Sequence, residues 1–460
     1  MAEAKQKKGE MNMLRGSLWD KIILFAIPMA LTGVLQQLYN AADVAVLGQF
    51  VGKNAMAAVG NNISLIGLIV NLFLGLSLGA NVVIAQNAGG RRFDRVKNTV
   101  HTAFLMALFV GAGIAVLGEM LAGPVMEFME VPAEVRDMAE TYFRVYLLGM
   151  PFLGLYNFES AIFRSRGDTR TPLLALIVSS SFNVVMDLVL VLVFGLGVAG
   201  VAIATALANV VSSGILLYFL HRTDSFIHVD FHALSIDRDR MREIVKIGLP
   251  AGIQGMVFSV SNLLIQSAIN GFGPDTMAAS AAAFTIEINV YCVIGAFSQA
   301  TTTFTGQNYG AGKLKRCRRV FWVAMGLNAL FMGILSAVSL IFGKTLLAFF
   351  NPDPNVVEIG YLRMLYIIAP EMINVVLEGC TGALRGYGIS MAPAALALFG
   401  ICGVRIVWLY TIFVSSHTFE TLMMAYPVSW VITTALTAGA YVFYINHLKP
   451  VPSWKQAEES

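Results

Sequence analysis

Gln86-Asn87-Ala88-Gly89 closes one long apolar run, and Gln307-Asn308-Tyr309-Gly310 closes another, 221 residues later. The same shift carries Gly52…Met56-Ala57-Ala58 onto Gly273…Met277-Ala278-Ala279. It also carries Phe163-Arg164-Ser165-Arg166-Gly167 with Pro172 onto Leu384-Arg385-Gly386-Tyr387-Gly388 with Pro393. Ile27-Pro28 matches Leu249-Pro250 at a shift of 222. A nearly constant offset held this far along a chain is the signature of an internal repeat. The repeated motifs read as architecture. Arg164 and Arg385 close helices, where a cation suits the helix dipole and an anionic leaflet. The glycine that follows permits a tight turn, and Pro172 and Pro393 open the next helix, where a missing N–H costs nothing.

Around these motifs the chain is unusually apolar. Of 460 residues, 57% are hydrophobic and 13% charged, and the mean hydropathy is +0.70. A soluble protein of this length needs far more charge to cover its surface, so the solvent is a bilayer. Ile22–Leu47, Thr99–Leu121, Leu173–Phe194 and Leu396–Val414 each reach the roughly 20 apolar residues that a spanning helix requires. Twelve spans are expected, at 22–47, 57–86, 96–121, 135–161, 172–194, 197–220, 243–270, 276–306, 317–343, 356–384, 392–414 and 420–445. Gly and Pro clusters fall between them. Lys5, Lys7, Lys8, Arg15 and Lys21 precede a stretch too long for a signal peptide, with no small-residue cleavage site, so the first span is expected to stay as an anchor.

Lys and Arg set the orientation. With the N-terminus inside, the even-numbered connections and both termini hold 25 of the 31 basic residues. The outer side holds Lys53, Arg136, Arg144, Lys344 and Arg363, and Arg405 falls in the eleventh span. Six spans per repeat is an even number, so both copies enter from the same side and the substrate site is expected between them. The fold class is all-α integral membrane, two parallel six-helix repeats forming two lobes around a central cavity. The expected segments are a cytoplasmic N-terminus (1–20), an N-lobe (21–221), a cytoplasmic linker (222–242), a C-lobe (243–446) and a cytoplasmic tail (447–460). The location is the inner membrane of a prokaryote, multi-pass, with both termini cytoplasmic.

Little points to enzymatic chemistry. Cys292, Cys317, Cys380 and Cys402 are scattered and read as free thiols. His228 and His232 are four apart in the linker, but no further ligand accompanies them, so they read as a solvated segment with no structural metal. No HExxH, GxSxG or P-loop occurs. No cofactor, no nucleic-acid partner and a monomer are expected.

Ile27-Pro28 early in span one, the QNxG closing spans two and eight, and the RxxG…P and RGxG…P after spans four and ten resemble the multidrug and toxic compound extrusion (MATE) family over residues 20–446. The resemblance implies two six-helix lobes, a central cavity, and antiport of cationic or amphipathic small molecules against Na⁺ or H⁺. The alternatives are a lipid-linked substrate flippase of the same superfamily and a major-facilitator transporter. A flippase needs a basic cavity, whereas this chain offers mostly acids. The Gly89-Gly90-Arg91-Arg92 run loosely matches a major-facilitator loop, but the second copy lacks it.

An ionisable group inside the membrane costs about 2.5–3.5 kcal/mol on insertion scales and is a functional candidate by default. The candidates are Asp43, Glu159, Asp187, Glu287, Glu371, Glu378 and Arg405. Thr32, Gln36, Asn40 and Asp43 are spaced along one face of span one. Asn183 and Asp187 share a face of span five at a depth similar to Asp43. Two such acids cannot both ionise cheaply, so a proton or a cation is expected between them. Thr205 in span six adds a neutral oxygen. The resemblance implies that Asp43, Asn183, Asp187 and Thr205 bind the coupling ion, Na⁺ or H⁺.

The second repeat lacks these acids, because the shift of 221 takes Asp43 to Leu264, Asn183 to Val404 and Asp187 to Trp408. It has Glu287, Glu371 and Glu378 instead, which with Arg405 read either as an Arg405–Glu pair, with Glu371 or Glu378, that fixes the packing of this lobe, or as a second coupling or drug-cation site. Gln36, Tyr39, Asn40, Tyr142, Asn157, Met256, Glu287 and Glu378 are the candidate contacts for cargo in the cavity, where aromatic and methionine side chains accommodate varied amphipathic cations.

Overall fold

The structure, a computed structural model, describes residues 11–129 and 131–448. The expected terminal segments 1–10 and 449–460, with Lys5, Lys7 and Lys8, lie outside the described residues. Eleven helices among the described residues are long and apolar enough to cross a membrane. They are Trp19–Phe50, Lys53–Gly89, Phe93–Phe128, Arg170–Val193, Gly197–Arg222, Arg238–Asn270, Pro274–Gly310, Leu314–Ile341, Pro354–Gly386, Met391–Ser416 and Phe419–Asn446. In a bilayer a helix satisfies its own N–H and C=O groups, which is why the apolar runs take this form.

The fourth span is the twelfth of the set and comes in two pieces, Ala133–Leu148 and Met150–Ser165, meeting at Gly149. Pro151 lies in the first turn of the second piece and donates no N–H, so the ladder cannot run through it. The second repeat breaks at the matching place: Pro354–Ile368 ends before Pro370, and Glu371–Gly386 follows. The motif glycines play the part the sequence assigns them, since Gly167 and Gly388 both have positive φ, at 93° and 85°. Both motif arginines lie in the last turn of a helix, as expected, but Arg164 is buried, with Nε donating to Ser160 O at 3.1 Å.

The described chain packs as two compact units. The first holds Leu31–Ala88 and Arg92–Gly252, and the second holds Asn12–Ala30, Gly89–Arg91 and the chain from Ile253 onward. The first unit therefore includes the start of span seven, and the second includes the start of span one. Within the first unit, glycines let spans two and seven approach backbone to backbone. A Cβ on Gly75 would stand 2.1 Å from Gly252 N, and one on Gly79 would stand 2.3 Å from Ile244 O. Such small-residue crossings are how helices associate where apolar burial gives no driving force. The linker docks on span three: Asp230 N donates to His101 Nε2 at 3.3 Å, and Asp237 N donates to Thr102 Oγ1 at 3.0 Å.

Within the second unit, the QNxG motif anchors the segment ahead of span one. Asn308 Nδ2 and Arg316 Nε both donate to Met13 O at 3.2 Å, and Lys313 Nζ donates to Leu14 O at 2.9 Å. Phe25 meets Phe304 edge-on at 5.8 Å. All four cysteines are free.

Candidate functional site

In the first unit, spans one, five and six bring Asp43, Asn183, Asp187 and Thr205 together, all of them buried. Thr205 Oγ1 lies 3.1 Å from Asp43 Oδ2 and 2.9 Å from Val201 O. The Asp43 carboxyl faces the Asp187 carboxyl and the Asn183 amide. None of these approaches reaches hydrogen-bond geometry, so Asp43 Oδ1, both Asp187 oxygens and both Asn183 amide atoms stay buried without a partner. Immediately after Asp187 and Leu188, span five loosens into a π-helical stretch, Val189–Val193. Such stretches recur at functional sites.

Tyr39, Tyr142 and Tyr146 lie close enough to Asp43 to feel its charge. Tyr142 is buried in an apolar cluster with Val46, Leu47 and Val201, and its ring lies 5.8 Å from that of Tyr146. The Tyr39 hydroxyl has no partner. Tyr146 was not among the expected contacts, although its position one helical turn after Tyr142 was the available signal. Along the span-one stripe Gln36 is half-buried and Asn40 exposed, and of the four stripe residues only Asp43 is buried. Asn157 is buried but spends its amide on Leu153 O, at 2.8 Å. Glu159 is fully buried with both carboxyl oxygens unpartnered. The donor set at Asp43 consists of hard oxygens and one amide, which suits a proton or a small hard cation.

The second unit departs from expectation at each of its charges. Glu287 is not a free cavity acid. Arg363 grips it with two bonds, Nε to Oε1 at 3.0 Å and Nη2 to Oε2 at 2.9 Å. Arg363, expected on the outer side, lies well inside the helix that begins at Pro354 and is buried. Among the described residues Arg405 pairs with no acid. Its Nε donates to Ser429 Oγ at 3.1 Å, and its Nη1 donates to Ser261 Oγ at 3.2 Å and Asn262 Oδ1 at 2.9 Å.

Glu371 instead accepts from Asn374 Nδ2 at 2.9 Å, and Glu378 accepts from Tyr291 and Ser298 at 3.2 and 3.0 Å. Met256 is half-buried in span seven. In the linker, His232 is fully exposed and His228 stacks on His221 at 5.7 Å. Among the described residues no group of three or more His, Cys, Asp or Glu is placed to hold a metal ion.

Comparison with known proteins gives a consistent result. The MatE family model matches twice, over residues 28–189 and 250–411. The probable multidrug resistance protein YoeA of Bacillus subtilis is 25% identical, covering 93% of this chain and 94% of its own length. A Shewanella oneidensis protein named FAD transporter is 24% identical over 88% of this chain and 89% of its own. A crystal structure of MATE in complex with MaL6 superposes with a TM-score of 0.89 at 22% identity, covering 96% of this chain and 100% of that one. At that identity the superposition speaks for the fold.

Proposed function

We propose that this chain, which belongs to the MatE family of membrane transporters, exports cationic or amphipathic small molecules against an inward flow of Na⁺ or H⁺ through the Asp43 site. The observation that carries this reading is the meeting of Asp43 and Asp187, with five of the polar atoms around them left without partners. An unpaired buried polar group costs about 1–3 kcal/mol, more when charged. A proton shared by the two acids, or Na⁺ held by their oxygens with those of Asn183 and Thr205, removes that cost and lets the helices close.

Without the ion, two carboxylates favour water and a positively charged cargo. Ion and cargo thus stabilise different arrangements of one site, which is the differential binding that exchange requires. The inner membrane and cytoplasmic termini follow the basic-residue asymmetry.

The test is dye counterflow in proteoliposomes with Na⁺ and H⁺ gradients imposed separately. Accelerated uptake of an ethidium-type cation under one gradient supports the reading. Movement of lipid-linked or purely anionic cargo alone would favour the flippase alternative.

A further inference from the structure

The two repeats carry related side-chain clusters whose charge is inverted. The shift of 221 that takes Asp43 to Leu264 and Asp187 to Trp408 also takes Tyr142 to Arg363 and Thr205 to Tyr426, and it leaves Arg405 one position from the counterpart of Asn183. In the second unit these residues again converge. The Arg405 guanidinium lies 4.2 Å from the centre of the Tyr426 ring, and the Tyr426 hydroxyl faces Arg363. Where the first unit buries two acids, the second buries two arginines.

Glu287 neutralises only one of them. Arg363 has its carboxylate in a forked pair, while Arg405 has only the oxygens of Ser261, Asn262 and Ser429, and no carboxylate of the described residues pairs with it. Arginine stays charged in a protein interior. A buried cation without a counterion is expensive at the depth of a mid-span residue. Neutral hydroxyls and an aromatic face lower that cost but do not remove it. Span eleven is also locally loosened on both sides of this residue. π-helical stretches run over Leu398–Gly403 and Leu409–Phe413, and the first has no counterpart in span five, which is regular α-helix there.

We infer that Arg405, with Ser261, Asn262 and Ser429, is a recognition site for a planar oxyanion, the carboxylate of a zwitterionic amphiphile. The guanidinium fork matches a carboxylate in shape as well as charge. The inference adds a carboxylate to the cargo class proposed above but does not depend on ion coupling. It is therefore tested at equilibrium, with no gradient.

The probes are a fluoroquinolone zwitterion and its ethyl ester, a cation of nearly the same shape, titrated by fluorescence anisotropy against the full chain in detergent. The wild type is expected to bind the acid about tenfold more tightly than the ester, the worth of one charge-assisted contact. Arg405→Gln is expected to bind the two alike with ester affinity unchanged, and Arg405→Lys to restore part of the difference. Asn262→Asp supplies an internal carboxylate to Arg405. It is expected to abolish the acid preference without lowering the Tm, and it carries the test if Arg405→Gln does not fold. Equal binding of acid and ester by the wild type, or a preference that survives Asn262→Asp, overturns the inference. The readout is an equilibrium preference measured with no gradient, so failure of the coupling proposal and failure of this one are told apart.

Discussion

Thr205 Oγ1 stands 3.1 Å from Asp43 Oδ2 and 2.9 Å from Val201 O, and a hydroxyl has one proton to give. When that proton goes to Val201 O, the contact with Asp43 is a hydrogen bond only if Asp43 itself is protonated; with a cation between them the two oxygens are instead its ligands. Asp43→Asn and Asp187→Asn are each expected to abolish gradient-driven dye counterflow at matched protein level, with both proteins still folded and inserted. The double mutant should be no worse than either single, because one loss already breaks the pair. Thr205→Val removes one neutral ligand and should weaken ion affinity by roughly tenfold. Full transport by Asp187→Asn would remove the coupling site from this unit.

Arg363 and Glu287 call for a different prediction. Removing one partner of a buried pair strands the other and costs about 3–5 kcal/mol. Glu287→Gln and Arg363→Met should each lower the Tm and the folded yield sharply. The double change to Gln and Met should recover much of the loss, because no uncompensated charge remains. Ion-coupled counterflow per folded molecule should stay near the wild-type value in Glu287→Gln. Loss of coupling with the Tm unchanged would make Glu287 a transport residue after all.

These two clusters show where sequence is legible and where it is not. Asp43, Asn183, Asp187 and Thr205 were visible because local periodicity placed each on a definite face, and the repeat offset fixed which lobe they belong to. The spans were visible because a bilayer imposes length and composition on them. The partners of Arg363, Arg405 and Glu378 were not visible. Each is chosen by a contact across spans, such as Glu287 to Arg363, that no periodicity encodes. Arg363 falls inside the expected span 356–384, yet its burial rests on the same cross-span contact with Glu287.

Orientation can be checked independently of transport. Single cysteines at Lys53, Gly195 and His417 should react with an impermeant thiol reagent added to intact cells. Those at Arg92, Arg166 and Arg316 should react only after the cells are opened. The expectation rests on the basic-residue asymmetry, which is worth most in short loops such as these. Reversed labelling at any three of the six would contradict the orientation and the span count together.

The glycine crossing of spans two and seven gives the sharpest test of the packing. A methyl group on Gly75 would lie 2.1 Å from Gly252 N and 2.7 Å from Gly248 O, and both are backbone atoms that cannot swing aside. Gly75→Ala should therefore force the helices apart, at a cost at or above the upper end of the roughly 1–3 kcal/mol typical of overpacking. Gly113 on span three is the control, since a Cβ there meets nothing within 4 Å. Gly113→Ala should be neutral or slightly stabilising, because alanine loses less backbone entropy in a helix. The measurement is the thermal midpoint of each purified variant in the same detergent. Gly75→Ala melting with the wild type would mean that the two helices do not cross at this glycine.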